Sequence, residues 1–210
     1  MLINQLGNAT DGANVHSLAA LSNSSVLWNK NFALGRDIDA AATRTWNGGT
    51  GFNPIGNGVT QFIGVFDGMN NTLNNLYINR TTNYVGLFGY VRGGGILSNL
   101  NLANANITGF YEGGYGVYVG GIAGINSGVI NSITVNGGTI SGRSITSAEV
   151  YIGGVAGNNS GTISNVMVSD AAISGQKDSN GSIGIGGVTG YNSGTIIGAA
   201  INGGGFYRQH

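Results

Sequence analysis

The sequence predicts an all-β chain wound as a single-stranded parallel β-helix, a β-solenoid of about five or six coils. Three observations carry that expectation. One phrase is written three times: VYVGGIAGINSGVINSI at Val117–Ile133, VYIGGVAGNNSGTISNV at Val150–Val166, and SIGIGGVTGYNSGTIIGA from Ser182. The copies keep one step: Gly124, Gly157 and Gly190 stand 33 apart, as do Leu100, Ile133, Val166 and Ala199, and Ile107, Ile140, Ile173 and Phe206. Each copy also alternates apolar and polar residues over short runs bounded by Asn, Ser, Asp and Gly, the pattern of half-buried strands and tight turns. A single unit of this kind cannot bury its apolar side chains. Stacking at about 4.8 Å per coil lets strands pair above and below and lines up a continuous core.

Composition narrows the alternatives. The 41 glycines stand beside one proline and lack a three-residue period, which excludes collagen. With 41% hydrophobic and only 8% charged residues, the chain is too apolar for disorder. Eight basic residues balance eight acidic ones, so no basic excess exists to neutralise phosphates, and nucleic acid is not an expected partner. There is no cysteine, hence no disulfide or thiolate metal site, as suits a bacterial protein exported in an extended state. No apolar run approaches the roughly 20 residues that span a bilayer, so membrane insertion is not expected. MLINQLGNATDGANVHSL lacks the basic start and apolar stretch of a signal peptide, so in a secreted protein this would be a mature or excised segment.

Taken in order, residues 1–30 are expected to cap the solenoid, because a free end exposes unpaired strand edges. Val15–Ser22 there reads as a short helix. Residues 31–210 form the solenoid. Its early phrases are FIGVFDGMNNTLNNLYI at Phe62–Ile78, VGLFGY at Val85–Tyr90 and GILSNLNL at Gly95–Leu102. Asp67 and Gly89 stand 22 apart, which suggests a shorter early coil, whereas units from about residue 85 onward step by 33. The surplus (33 minus 22) falls in segments 109–118, 142–151 and 175–184, which should project from one corner. These segments vary most between units, as loops on a scaffold do.

Within a unit three strands are expected, at Ile152–Gly157, Thr162–Val168 and Ala171–Ser174. Ile163, Val166 and Val168 should point inward, with a kink near Asn165 shifting the parity. Stacked asparagines can ladder their amides along the axis. The predicted ladders are Asn126–Asn159–Asn192 and Asn75–Asn99–Asn165, the second interrupted by Ser132. The far end, INGGGFYRQH, should stack on flanking coils of a longer protein or self-associate end to end.

VGLFG, GGIAG, GGVAG and GGVTG resemble the GLUG motif of filamentous-haemagglutinin-like bacterial adhesins and exoproteins, typically exported by two-partner secretion. The stretch NFALGRDIDAAATRTWNGGTGFNPIGNG, followed by FIGVFDGMNNTLNNLYINRTTNYVGLFGYV, is similar to the segment preceding such repeats. The resemblance covers roughly residues 25–205. It implies a right-handed solenoid and a structural or adhesive role at the bacterial surface, or in an alternative setting an accessory repeat of a surface protease. One departure is Asp67-Gly68-Met69-Asn70, which lacks the histidine the family often carries there.

Chemistry-bearing residues are sparse. His16 and His210 lie near opposite ends of the chain. Asp37 and Asp39 share a strand face; they either bind a cation such as calcium or solubilise the first coil and pair with Arg36 or Arg44. Asp67 reads as a turn cap. A carbohydrate-active solenoid needs carboxylates converging within about 10 Å, and the acids here show no matched spacing; no catalytic residue, metal ligand or cofactor is assigned. VRGGG lacks the lysine and the following helix of a phosphate loop. Asn79, Asn106 and Asn158 open sequons of the kind glycosylated in some secreted proteins. The corner segments hold the expected binding residues: Tyr111, Glu112, Tyr115 and Tyr118 in the first, Arg143, Glu149 and Tyr151 in the second, Lys177 and Asp178 in the third. Tyr118 and Tyr151 should stack. Such tyrosines pack on sugar rings or protein surfaces, or else cover the corner's apolar edge. Host-cell or matrix protein, glycan and exopolysaccharide are the expected partners.

Overall fold

A computed structural model describes residues 1–14, 16–146, 148–177 and 180–209. Parallel strands stack into a β-solenoid of about six turns. One coil runs through Val117–Gly120, Ala123–Asn126, Val129–Asn136 and Thr139–Ser144, and each strand pairs in parallel with its counterpart one repeat further on. We number the four resulting faces I to IV in that order. The unit therefore has four strands where three were expected. The predicted stretch Ile152–Gly157 is split between Val150–Gly153 on face I and Ala156–Asn159 on face II. Gly153 and Gly154 turn that corner. A Cβ on Gly153 would collide with the Ala156 carbonyl and with Thr189 in the next coil, so the backbone approach itself demands glycine.

Face III carries the longest strands. In Thr162–Ser169, Ile163, Val166 and Val168 are buried, and Asn165 interrupts the alternation with φ 51°. The parity shift predicted there is present. Asn99, Ser132 and Gly198 adopt the same left-handed conformation in neighbouring rungs, at φ 53°, 55° and 64°. Asparagine and glycine tolerate it best.

The 22-residue early coil does not exist, although the step from Tyr77 to Asn106 (106 minus 77, or 29 residues) is shorter than the later 33. Asp67 pairs with Ala33 below and Ser98 above on face III, at steps close to that of the later units. Gly89 lies on face II, between Phe88 opposite Ala123 and Tyr90 opposite Ile125. Asp67 and Gly89 thus sit on two different faces, and the distance between them measures no coil. In the early coils a 3-10 segment, Ala41–Gly49, and isolated bridges from Ile55 and Phe62 replace regular strands. The core there is aromatic: Phe88 packs against Phe62 and Phe66 with ring centroids 4.9 and 5.3 Å away. Later coils fill the same interior with Ile, Val and Leu.

At the N-terminal end, Leu2–Ile3 pairs with Ala33–Leu34 and adds a rung to face III. Helix α1 spans Leu18–Asn23 and starts later than expected; Val15 and His210 lie outside the described residues. Ser17 caps the helix by accepting a hydrogen bond from Ala20 N at 3.1 Å. Leu18 and Leu21 enter the core, and Trp28 donates from Nε1 to Leu21 O at 2.8 Å. In the last rung the inward columns open. Ile201 is 47% exposed, whereas Val168 directly beneath it is 2% exposed.

Candidate binding surface

The first predicted ladder forms as expected. Asn126, Asn159 and Asn192 occupy one register position on face II. Asn126 Nδ2 donates to Asn159 Oδ1, and Asn159 Nδ2 to Asn192 Oδ1, both at 2.7 Å. Asn126 Oδ1 accepts from Gly128 N at 3.2 Å, which ends the chain of amides above Val91. The second ladder is two columns. Asn99 and Asn165 sit in the left-handed column of face III, where the Asn99 amide reaches Asp67 and the Asn165 amide reaches Asn131. Asn75 (φ 59°) belongs to the III–IV corner, with Asn104, Gly137, Asp170 and Gly203, all at positive φ. Backbone conformation places these asparagines, and no amide stack joins them.

Asp37 and Asp39 are held by the fold. Asp37 Oδ1 accepts from Thr72 N at 2.7 Å. Asp39 Oδ1 accepts from Asn75 Nδ2 and Ala41 N, each at 3.0 Å. Those bonds, the Asn75 amide first, hold the Asp39 carboxyl below the usual carboxylate range. Asp67 Oδ1 accepts from Met69 N at 2.8 Å and caps its turn as expected. Among the described residues no cluster of His, Cys, Asp or Glu is built to hold a metal ion.

The three corner segments do lie over one another at the IV–I corner, but the projecting part is shorter than predicted. Face IV strands run on through Tyr111, Ser144 and Lys177, and face I resumes at Val117, Val150 and Ile183. Among the described residues, only 112–116, 145–146, 148–149 and 180–182 of these segments lie between strands. Asp178 is outside the described residues. Glu112 and Arg143 are exposed, and the Arg143 guanidinium lies 5.6 Å from the Phe110 ring centre. Lys177 corrects the prediction: at 8% exposure it is not displayed, and its Nζ donates to the Ala148 carbonyl. Burial pulls its pKa down, partly offset by Glu149.

The tyrosines form the main feature of this side. Tyr84, Tyr118 and Tyr151 occupy one register position on face I. Their ring centroids are 5.8 and 5.9 Å apart, and Tyr191 continues the column 5.2 Å beyond Tyr151. Tyr191 comes from face II and covers the place where Gly184 supplies no side chain. Tyr90 meets Tyr84 edge-on at 5.6 Å. Tyr118 O–H donates to Glu149 Oε2 at 3.4 Å. Burial, then the Glu149 charge, pushes the Tyr118 phenol up to about 12, and the same two causes raise Tyr151. The contact of Tyr118 with Tyr151 is the one the sequence predicts; Tyr84, Tyr90 and Tyr191 join it only in the structure. Tyr84 has a signal, because it precedes VGLFG as Tyr118 and Tyr151 precede their own copies, but it stands one place out of step with them.

Beside the first rings of this column lies an open groove of about 1050 Å³. Its far wall is the segment 53–59, and its near wall includes Arg80, Asn83, Tyr84, Tyr111 and Tyr115. Asn57 Oδ1 accepts from Val59 N and Thr60 N at 2.9 Å each, which fixes the tip of that wall. Tyr115 is 75% exposed at the rim. Arg80 is half-buried and donates from Nε to Phe52 O at 3.1 Å and from Nη2 to Gly51 O at 2.6 Å. Tyr111 and Tyr115 are among the binding residues the sequence predicts, whereas the segment 53–59 and Arg80 lie outside the repeated phrases and carry no periodic signal.

The fold and surface together define a repeat-built β-solenoid with an aromatic spine along one side. The chain matches no protein-family model and no solved structure. It is 41% identical over 119 residues to Halomucin of Haloquadratum walsbyi, a match covering 54% of the chain and 1% of that protein. It is 40% identical over 100 residues to a protein named as a Gly-rich membrane protein of Evansella cellulosilytica, covering 47% of the chain and 11% of the relative. The chain thus spans a small part of each relative's length. No helix among the described residues is long and apolar enough to cross a membrane.

Proposed function

We propose that the chain is a non-catalytic stalk segment of a larger secreted or surface-exposed protein, holding an adhesive surface at fixed spacing. The observation that carries this reading is the tyrosine column, Tyr84, Tyr118, Tyr151 and Tyr191, at ring separations of 5.2 to 5.9 Å. A rigid ladder of rings with phenolic rims contacts sugar faces or protein surfaces at little entropic cost, because the rings are already ordered. Several of the few carboxylates act within the fold: Asp11, Asp37, Asp39 and Asp67 accept bonds that fix turns and neighbouring coils. The names of the two relatives, a halomucin and a membrane protein, support a surface location. The GLUG-like motifs support the same setting among bacterial exoproteins.

The test is a glycan and matrix-protein array probed with the wild-type chain and with Tyr118→Ala/Tyr151→Ala. Binding to at least one glycan or matrix protein, lost in the double variant, is the expected result. Unchanged binding would remove the tyrosine column from the function.

A further inference from the structure

We propose that the groove beside the tyrosine column binds an acidic oligosaccharide, with Arg80 pairing with a uronate carboxylate and Tyr84, Tyr111 and Tyr115 packing against the sugar rings. The proposal rests on the display reading above and names its ligand class.

Arg80 supplies the charge. A guanidinium has five N–H donors in a planar fork. Its Nε and Nη2 are tied to the carbonyls of Phe52 and Gly51, which fixes the plane through one edge. The opposite edge, formed by Nη1 and the second Nη2 hydrogen, has no acceptor among the described residues, and no carboxylate there lies within ion-pair distance. Half-burial depresses the Arg80 pKa, so this charge sits in a partly desolvated place without a neutralising partner. Removing charge from water without a counter-ion is unfavourable, and a bidentate carboxylate matches the free edge in geometry and sign.

The surroundings select a saccharide over a simple anion. The groove, about 1050 Å³, lies just above the usual range of about 300–1,000 Å³ for small-molecule sites and has room for more than one ring. Tyr84, Tyr111 and Tyr115 lie close enough that each of the latter two helps raise the Tyr84 phenol, after burial and Tyr90. Asn83 uses Nδ2 on Gly116 O at 2.9 Å and leaves its Oδ1 as an acceptor for a hydroxyl. Aromatic faces with an amide oxygen and one fixed cation are the donor and acceptor set of an anionic sugar.

The experiment is calorimetric titration of the whole chain with tetragalacturonate, with its methyl ester, and with acetate at matched carboxylate concentration. The ester keeps the skeleton and removes the charge. Tetragalacturonate is expected to bind at least about tenfold more tightly than either, as a charge-assisted fork contact implies. Arg80→Gln should abolish that preference, and Tyr115→Ala should weaken both saccharides alike. Should Arg80→Gln melt the segment it tethers, the ester comparison and Tyr115→Ala decide the matter. Equal affinity for acid and ester, equal affinity for acetate, or a preference surviving in folded Arg80→Gln overturns the proposal. An array signal lost in the Tyr118/Tyr151 variant alongside no acid preference here overturns this ligand class and leaves the display function standing.

Discussion

Asn159 takes the Nδ2 hydrogen of Asn126 on its Oδ1 at 2.7 Å while giving its own Nδ2 hydrogen to Asn192 at the same distance. The middle amide is therefore shared between three coils, and Asn126 and Asn159 are fully buried.

Removing the middle member orphans the buried Asn126 amide, whereas Asn192 is exposed and turns to water. Asn159→Val is expected to destabilise by about 1–3 kcal/mol, the cost of one buried unsatisfied group. The triple variant with valine at 126, 159 and 192 should cost less than the single change, because Val91 already fills this column below the ladder. Urea unfolding of the two variants checks the inequality.

Asn165 tests the kink. Its φ of 51° is matched by Gly198 one rung on. Asn165→Gly should stay within about 0.5 kcal/mol of wild type, and Asn165→Val should cost about 2 kcal/mol through left-handed strain. Equal losses in thermal melts would show that the Asn131 contact, not the backbone, decides this position.

Tyr118 ties stability to alkaline pH. Its folded-state phenol titrates at about 12 against an ordinary value of 10, so the folded chain holds a proton that the unfolded chain releases. That contribution is fully present below pH 10 and is lost as pH rises through about 12. Tyr118→Phe should flatten the decline in stability over this window. Glu149→Gln should shift the phenolate absorbance transition downward only in part, because burial is the larger cause.

The corner glycines predict the sharpest loss. A Cβ at Gly153 meets the backbone of both its own coil and the next, and neither can retreat without breaking face II pairing. Gly153→Ala is expected to cost about 3 kcal/mol or more, against less than about 1 kcal/mol for Gly114→Ala, where nothing lies within 4 Å of the added atom. Circular dichroism melts of both separate the cases.

The evenly spaced identities make the solenoid, the Asn126–Asn159–Asn192 ladder and the Tyr118–Tyr151 contact legible, because in stacked coils equal sequence position is equal spatial position. Where that equality lapses, the sequence misleads. Asn75 falls in a different column from the one predicted, because Asn74 pairs with Ala103 and so sets Asn75 beside Asn104 at the next corner, not beside Asn99. Lys177 reads as a displayed charge since nothing local shows that its ammonium turns back to the Ala148 carbonyl. The groove at Arg80 joins the N-terminal helix, the segment 53–59 and three strands, at Arg80, Tyr84 and Tyr111, so it exists only after folding.

The steady step from Gly124 to Gly157 to Gly190 also bears on how such a gene can change. Gaining or losing the coding sequence of one whole repeat leaves every column aligned, whereas other in-frame lengths shift asparagines onto valines and glycines off their corners. Length variants among relatives should therefore cluster at multiples of one unit, and the solenoid can grow or shrink by replication slippage without relearning how to fold.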